Sequence, residues 1–421
     1  MENEGGTHLF MDDLSLLVKH PKRKGVIDKI NRKLAMIYKW AGVNEVIFSF
    51  SKFHLLDLGA DGRRWDRAGK ELVHFGESQP PWSKKARYLG VQIDHRLNFR
   101  AHMSSITLKV ERAMKRLQAL GGRVGGASPY YLERIFKTYV MCHYLYGANL
   151  WIFSIRNKFR HGEPIRDQYG GAWKGLERTY HFCARKILGV NSKTSGEACL
   201  VRLGWLSLDY LLAYHALRWF LKAYNGNKTE ELCQQWVAIK GSDKWEHSSF
   251  YRPAFNFLNY LNGLVEVDLF ACNEKSGFEP IRDALFSDLT RYWKGMRGAH
   301  DTHLIHTEWK ERTIGMQMLK RPSVCLYHEV ACGSSMLGDS LRRKGISEGL
   351  CRHGCGKRET MDHVFIDCNG YRDRRIKMTN ACNKLGVDMI TSIIMTDKRL
   401  QPLVEDWLMA IGLTKLKKRK K

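Results

Sequence analysis

The chain has 421 residues, enough for two or three domains with cores of their own, and its hydrophobic share of 44% is that of a globular protein. Lys and Arg total 69 against 43 Asp and Glu, a formal net charge of +26 that calls for a polyanionic partner, because each phosphate neutralised by a cation releases a condensed counterion. Nucleic acid ranks first as that partner, ahead of an acidic membrane surface or a charge that serves solubility alone. The 11 cysteines are odd in number and spread over a long chain, which argues against a disulfide scaffold and for a reducing, intracellular setting. The opening MENEGGTHLF has neither the basic nor the apolar region of a signal peptide. The richest apolar run, residues 139–152, is too short for a bilayer and contains His143 and Asn149, so no membrane association is expected.

In chain order, residues 7–18 read as strand, turn, strand around Asp12 and Asp13. Residues 26–40 carry Val26, Ile27, Ile30, Leu34, Ile37 and Tyr38 at helical spacing. Strands are expected at 46–58, 72–75 and 87–93, with a turn at 94–98. Residues 102–120 form a helix with an apolar stripe of Ile106, Val110, Ala113, Met114, Leu117 and Leu120. Its other side is basic through Lys109, Arg112, Lys115 and Arg116, and the Gly-rich run 121–126 ends it. Long aromatic-rich helices are expected at 130–151, 173–188 and 209–224. Residues 225–321 show no clear organisation beyond a helix near 280–293. Scattered cysteines such as Cys142 and Cys183 read as buried thiols, and Cys325, Cys332 and Cys382 as structural ones.

Two groups carry chemistry. Asp12 and Asp13 sit at the tip of an apolar hairpin. That is where two-metal nucleotidyl transfer needs carboxylates to hold divalent ions, one activating a 3′-hydroxyl and one steadying pyrophosphate. Mg²⁺ suits such oxygen ligands. An Asp-Asp pair favouring a turn for its own reasons is the competing explanation. Near the other end, Cys351, Cys355, His363 and Cys368 read C-x3-C-x7-H-x4-C. Three thiolates and one imidazole complete a tetrahedral zinc shell with no open position, hence a structural Zn²⁺ site. His353, between the first two cysteines, could compete as a ligand. Arg352, Lys357, Arg358, Arg372, Arg374 and Arg375 surround the cluster, as in a loop built for RNA or single-stranded DNA. Residues 415–421, KLKKRKK, have the composition of a nuclear localisation signal or a nucleic-acid tail.

The run from Thr7, THLFMDDLSLL, resembles the aromatic-x-Asp-Asp box of reverse transcriptases, in the form found in non-LTR (LINE-type) retrotransposons. Ser51-Lys52 resembles the lysine motif after that hairpin, which implies that Lys52 helps protonate the leaving pyrophosphate. RYLGVQID from Arg87 looks like the strand closing the palm near the primer terminus. LNFRAH from Leu97, with the basic helix behind it, is similar to the start of the thumb. YLYGANLW from Tyr144, ARKILG from Ala184 and GWL from Gly204 are similar to segments beyond the thumb. The cysteine-histidine cluster, with Glu359-Thr360, Tyr371 and Arg375 around it, resembles the C-terminal Cys-Cys-His-Cys motif of the same family, which favours His363 over His353 as the ligand.

The resemblance implies a mainly α protein with a partial α/β palm at its N-terminus, a helical thumb, a C-terminal helical region and a small zinc knuckle. The expected divisions are a partial palm over 1–98, thumb and connector over 99–224, a helical region of unknown role over 225–340, and knuckle with basic tail over 341–421. Asp12, Asp13 and Lys52 would be catalytic. Lys109, Arg112, Lys115, Arg116, Arg352, Lys357, Arg358, Arg374 and Arg375 would bind nucleic acid. The implied partners are element RNA and target DNA, and the implied setting is the nucleus, with a cytoplasmic RNA-bound particle besides. The family's palm needs a further Asp upstream of the box, yet nine residues precede Phe10. The expectation is therefore a C-terminal fragment inactive alone as an RNA-directed DNA polymerase. Its rival is a non-catalytic RNA- or DNA-binding remnant. An intron maturase shares the Asp-Asp box but ranks low, since its usual C-terminal motifs are not visible.

Overall fold

The computed structural model describes residues 6–11, 13–58, 72–120, 126–156, 170–226, 231–245, 248, 250–295, 321–343 and 345–410. These fall into two compact units divided between Ser105 and Ile106. The described residues are mostly helical, as the resemblance implies, and their strands form two separate two-stranded hairpins. No helix among them is long and apolar enough to cross a membrane.

In the N-terminal unit, β1 (Thr7–Phe10) pairs antiparallel with β2 (Asp13–Leu16), with Phe10 opposite Asp13. The connection has two residues, and its first, Met11, takes φ +52°, which suits the twist of a tight hairpin. Helix α1 (Arg23–Val43) presents Ile27, Ile30, Leu34 and Ile37 to a small core with Leu55, Val73, Phe75 and Trp82. Of the face read from the sequence, Leu34 is buried and the isoleucines are half-buried, while Tyr38 stays 49% exposed. Residues 46–58 and 72–75 depart from their expected strands. They hold a 3-10 turn (Phe50–Lys52) and isolated bridges, Leu55 to Trp82 and Phe75 to Ser78. Their alternating aromatics bury against α1 instead of a sheet, and Phe48, Phe50, Phe53 and Tyr38 all gather around Phe75.

The expected strand at 87–93 is also corrected. β3 (Lys85–Tyr88) turns at Leu89-Gly90 into β4 (Val91–Asp94). Both turn residues have positive φ, +44° and +83°, as a two-residue hairpin with a primed turn demands. Asp94, buried at the end of β4, accepts the backbone N–H groups of Arg96, Asn98 and Phe99, and this holds Leu97 and Phe99 in the left-handed region. The N–H of Arg100 in turn bonds to the Asn98 side chain, which starts helix α2 (Arg100–Leu120).

The second unit is helical throughout. The expected single helix over 130–151 is three pieces: α3 (Pro129–Ile135), a π-helical turn (Phe136–Val140) running into α4 (Met141–Leu145), and α5 (Ala148–Arg156) beyond Gly147 at φ +68°. The Tyr-Gly inside the run breaks it. Cys142 is exposed, against expectation, whereas Cys183, Cys325, Cys332 and Cys382 are buried. α6 (Gly170–Leu188) is followed by α7 (Gly196–Leu203), which Ser195 caps at its start and a left-handed Gly204 ends. That glycine turns Trp205 back onto the Phe136 ring at 4.6 Å, with its indole N–H on Glu133 at 2.8 Å. Around α8 (Leu208–Asn225) pack α5, α9 (Glu231–Lys240), α10 (Tyr251–Asn262) and α11 (Glu279–Gly295). The described residues of the stretch without legible organisation, up to Gly295, thus join one helical layer. Phe220, Tyr224, Trp236 and Phe255 make its aromatic centre.

The C-terminal part comprises α12 (Arg321–Ala331), α13 (Gly338–Arg343), the zinc-type loop, α14 (Arg372–Leu385), α15 (Thr391–Thr396) and α16 (Gln401–Ala410). Phe365, Tyr371 and Trp407 lie at its centre, with Phe365 and Trp407 edge to face at 4.6 Å. Arg202 on α7 fastens it to the preceding helices. Its guanidinium lies 4.6 Å from the Tyr327 ring centroid and donates to His328 Nδ1 at 3.1 Å and to the Met395 carbonyl at 3.3 Å.

Candidate metal centre and basic surfaces

Two short chain segments bring the four ligands together. The first is a loop closed by the bridge Leu350–Arg358 and by the Cys351 N–H on the Lys357 carbonyl at 2.8 Å. Gly354 and Gly356, both near φ +70°, let it double back. The second is a π-helical turn (His363–Asp367) that starts where Thr360 Oγ1 accepts the His363 N–H. The Cys368 N–H closes the turn on the His363 carbonyl at 2.7 Å. The wider π turn leaves His363 and Cys368 facing one point, a use of π geometry common at functional sites.

The ligand atoms of Cys351, Cys355, His363 and Cys368 lie within 4.8 Å of one another. The Cys351 and Cys368 sulfurs are 3.6 Å apart, and Cys355 Sγ is 3.0 Å from His363 Nε2. A Zn–S bond of about 2.3 Å gives a tetrahedral edge of about 3.8 Å, so the thiol pair is spaced as zinc ligands are. The donor set also fits, since soft thiolates with one imidazole select Zn²⁺ over hard cations. Cys351, His363 and Cys368 are buried and Cys355 is exposed. Burial pushes the Cys351 thiol up to about 12, while the Lys357 backbone N–H holds Cys355 below its usual value. A cation bound by all four would have to favour the Cys351 thiolate strongly.

A carboxylate that the sequence marks only as part of the motif supports the loop. Glu359, 2% exposed, takes both ends of the Arg352 guanidinium, with Nη2 to Oε2 at 2.9 Å, and accepts the Gly338 N–H at 2.7 Å. Arg375 donates to the carbonyls of Phe365 and Cys368. Arg352 and Arg375 are thus engaged in shaping the loop, and Arg374 lies 3.5 Å from Asp406. Lys357 and Arg358 remain exposed on the loop, as does Arg372 at the start of α14. His353 stands outside the ligand group.

On α2, Arg112, Lys115 and Arg116 are exposed and Lys109 is half-buried, opposite the buried Val110, Met114 and Leu117. Lys109 is close enough to His143 that its charge, after burial, lowers the imidazole's proton affinity. At the hairpin, Asp13 is exposed at the start of β2, and Asp12 lies outside the described residues. Lys52 is exposed at the end of its 3-10 turn. Asp57 pairs with Arg23 at 2.5 Å. Residues 121–125 and the basic run 415–421 also lie outside the described residues. Among the described residues, the Cys-His cluster is the sole group of three or more ligands gathered at metal-binding range.

The chain matches no protein-family model and no solved structure. Over 203 residues it is 24% identical to a protein of Nasonia vitripennis described as a retrovirus-related Pol polyprotein from type-1 retrotransposable element R1 2. The matched stretch is 48% of this chain and 46% of that protein, so the chain spans about half the length of the curated relative it matches. This similarity supports a non-LTR retrotransposon origin for a mostly helical protein whose C-terminal part gathers four residues able to hold zinc.

Proposed function

We propose that the chain is the palm-end, thumb and zinc-loop portion of a non-LTR retrotransposon reverse transcriptase. It would bind element RNA and target DNA during target-primed reverse transcription, in the nucleus. The observation that carries this reading is the convergence of Cys351, Cys355, His363 and Cys368 in a chain of net charge +26 that resembles a Pol polyprotein. In this reading Zn²⁺ fixes the loop that offers Lys357 and Arg358 to RNA. The exposed face of α2 follows a duplex backbone, with each cation releasing a counterion. Asp12 and Asp13 are the Mg²⁺ ligands, and Mg²⁺ when bound supplies the positive charge that phosphoryl transfer needs. Lys52 is the proton donor to the leaving group.

A second reading is a nucleic-acid-binding protein without catalysis. It is favoured by the isolation of the β1–β2 hairpin, which pairs with no further strand among the described residues, and by the absence of a third carboxylate grouped with Asp13 among them. One experiment separates the two readings. The zinc-loaded chain is given Mg²⁺, deoxynucleotides and a labelled DNA primer on an RNA template, and both extension and RNA retention are measured. The polymerase reading expects extension, by this chain or with a separate fingers-and-palm segment added, that Asp12→Ala or Asp13→Ala abolishes. The binding reading expects RNA retention that survives both changes, with no extension. Absence of RNA binding near physiological salt would overturn both.

A further inference from the structure

The cysteine loop contains one aromatic ring that metal binding does not use. His353 lies between Cys351 and Cys355, where a zinc ligand could lie, yet it stays outside the ligand group. Its ring centroid is instead 4.4 Å from that of Tyr371, at an interplanar angle of 88°. Tyr371 is buried in the C-terminal core, so the support is rigid. The neighbouring Gly370 completes the seat, because a Cβ there would stand 2.4 Å from His353 Cγ. The histidine is in the turn that closes with the Gly354 N–H on the Cys351 carbonyl at 3.0 Å. Its side chain is nonetheless exposed, and a Cβ added at Gly354 or Gly356 would meet nothing, so the crest of the loop is open.

An exposed side chain ordinarily moves among rotamers and loses that freedom when it binds. A ring already seated against a buried tyrosine and a glycine backbone has paid that entropy in the free protein. Lys357 and Arg358 on the same loop and Arg372 beside Tyr371 are exposed cations. A fixed aromatic ring among exposed cations on an open loop is the combination that recognises unpaired bases on a phosphate backbone. A duplex, whose bases are already stacked, offers such a ring nothing beyond its phosphates.

We propose that His353 is a base-contacting residue, on which an unpaired nucleobase of a single strand stacks while Lys357, Arg358 and Arg372 hold the adjacent phosphates. This rests on the reading of the zinc loop as a nucleic-acid binder. The test uses the full zinc-loaded chain and fluorescence anisotropy with three labelled probes: a 12-nucleotide single-stranded RNA, its DNA counterpart and a blunt RNA duplex. His353→Ala is expected to weaken single-strand binding about five-fold or more, the effect of removing one base–aromatic stack, while duplex affinity and zinc content stay unchanged. His353→Phe should keep single-strand affinity within about two-fold, since stacking tolerates any flat ring. Gly370→Ala, which displaces the ring, should behave as His353→Ala does.

Equal loss on RNA and DNA single strands assigns the contact to the base, and a larger loss on RNA adds the ribose hydroxyl to it. Two results overturn the proposal. One is a His353→Ala chain that keeps wild-type single-strand affinity. The other is a chain that loses single-strand and duplex affinity alike. Wild-type protein that binds none of the probes overturns the nucleic-acid reading itself, an outcome distinct from wild-type binding that His353→Ala leaves intact.

Discussion

The two ends of the molecule are built on different terms. The N-terminal unit closes its core over Leu34, Leu55, Val73 and Phe75, while Met36, Val43 and Ile47 on and after α1 stay in water, Ile47 at 95% exposure. The C-terminal part buries Phe365, Trp407, Tyr371, Tyr327 and the methionines between them, and its metal-type ligands are woven into the same core, with Cys351 and Cys368 buried in it. The first rests Leu16 of one hairpin and the irregular segments around Leu55 and Phe75 on one amphipathic helix. A two-stranded hairpin is marginal by itself, and its stability depends on what it packs against. The second carries its own packing and adds four residues able to hold a cation. Stability and a preformed surface therefore coincide at the C-terminal end.

Metal removal should break this contrast most. Structural zinc contributes on the order of 10 kcal/mol or more in small domains, comparable to the whole stability of many folds. Chelation of the zinc-loaded chain, or Cys368→Ser, should abolish cooperative unfolding of the C-terminal part and expose residues 332–410 to protease. The N-terminal unit should be unchanged. Retention of the full thermal transition after chelation would mean that packing alone holds the loop.

Core truncation sharpens the same comparison. Trp407→Ala removes a ring that is 2% exposed and packed on Phe365, and should cost about 3–5 kcal/mol. Leu34→Ala should lie at the low end for leucine, about 2 kcal/mol, because its half-buried neighbours can close on the gap. Urea unfolding of each variant measures both, and equal costs would remove the distinction.

A further effect concerns acidity. Glu405 on α16 is 4% exposed, and burial raises its carboxyl to about 7. A carboxyl raised on folding is stabilising when protonated, so its contribution is full below the unfolded value near 4.5. It is lost as pH rises from there through about 7, by at most about 3 kcal/mol. Glu405→Gln should flatten the fall in melting temperature between pH 5 and 8. An unchanged slope would show that the carboxyl is not what titrates.

Much of the chain was legible because its signals are local. The α1 and α2 stripes, the Asp-Asp hairpin and the C-x3-C-x7-H-x4-C spacing each act over a few turns of chain. What stayed hidden depended on distant partners. Residues 46–58 alternate like a strand, but their rings found Phe75 and α1 before any sheet. Leu89-Gly90 reads as the middle of a strand until the primed turn is seen. Glu359 could be noticed as part of a motif, but not its grip on Arg352 and on the start of α13, 21 positions earlier in the chain. The helix near 280–293 was legible, whereas the helices at 231–240 and 251–262 were not, because they are short and their aromatics meet across helices.

The fastening by Arg202 has a consequence for how the chain is made. The helix that bears it, with Ala198, Leu200, Val201 and Leu203 wholly buried, leaves the ribosome 193 residues before the Met395 carbonyl it will hold. At synthesis rates of about 5–20 residues per second, that segment waits roughly 10–40 s for its partners. During the wait Arg202 and the Ala198 carbonyl stand without the C-terminal groups they meet in the folded chain. A mutation that slows translation between these points would lengthen that wait and favour aggregation without altering a single native contact.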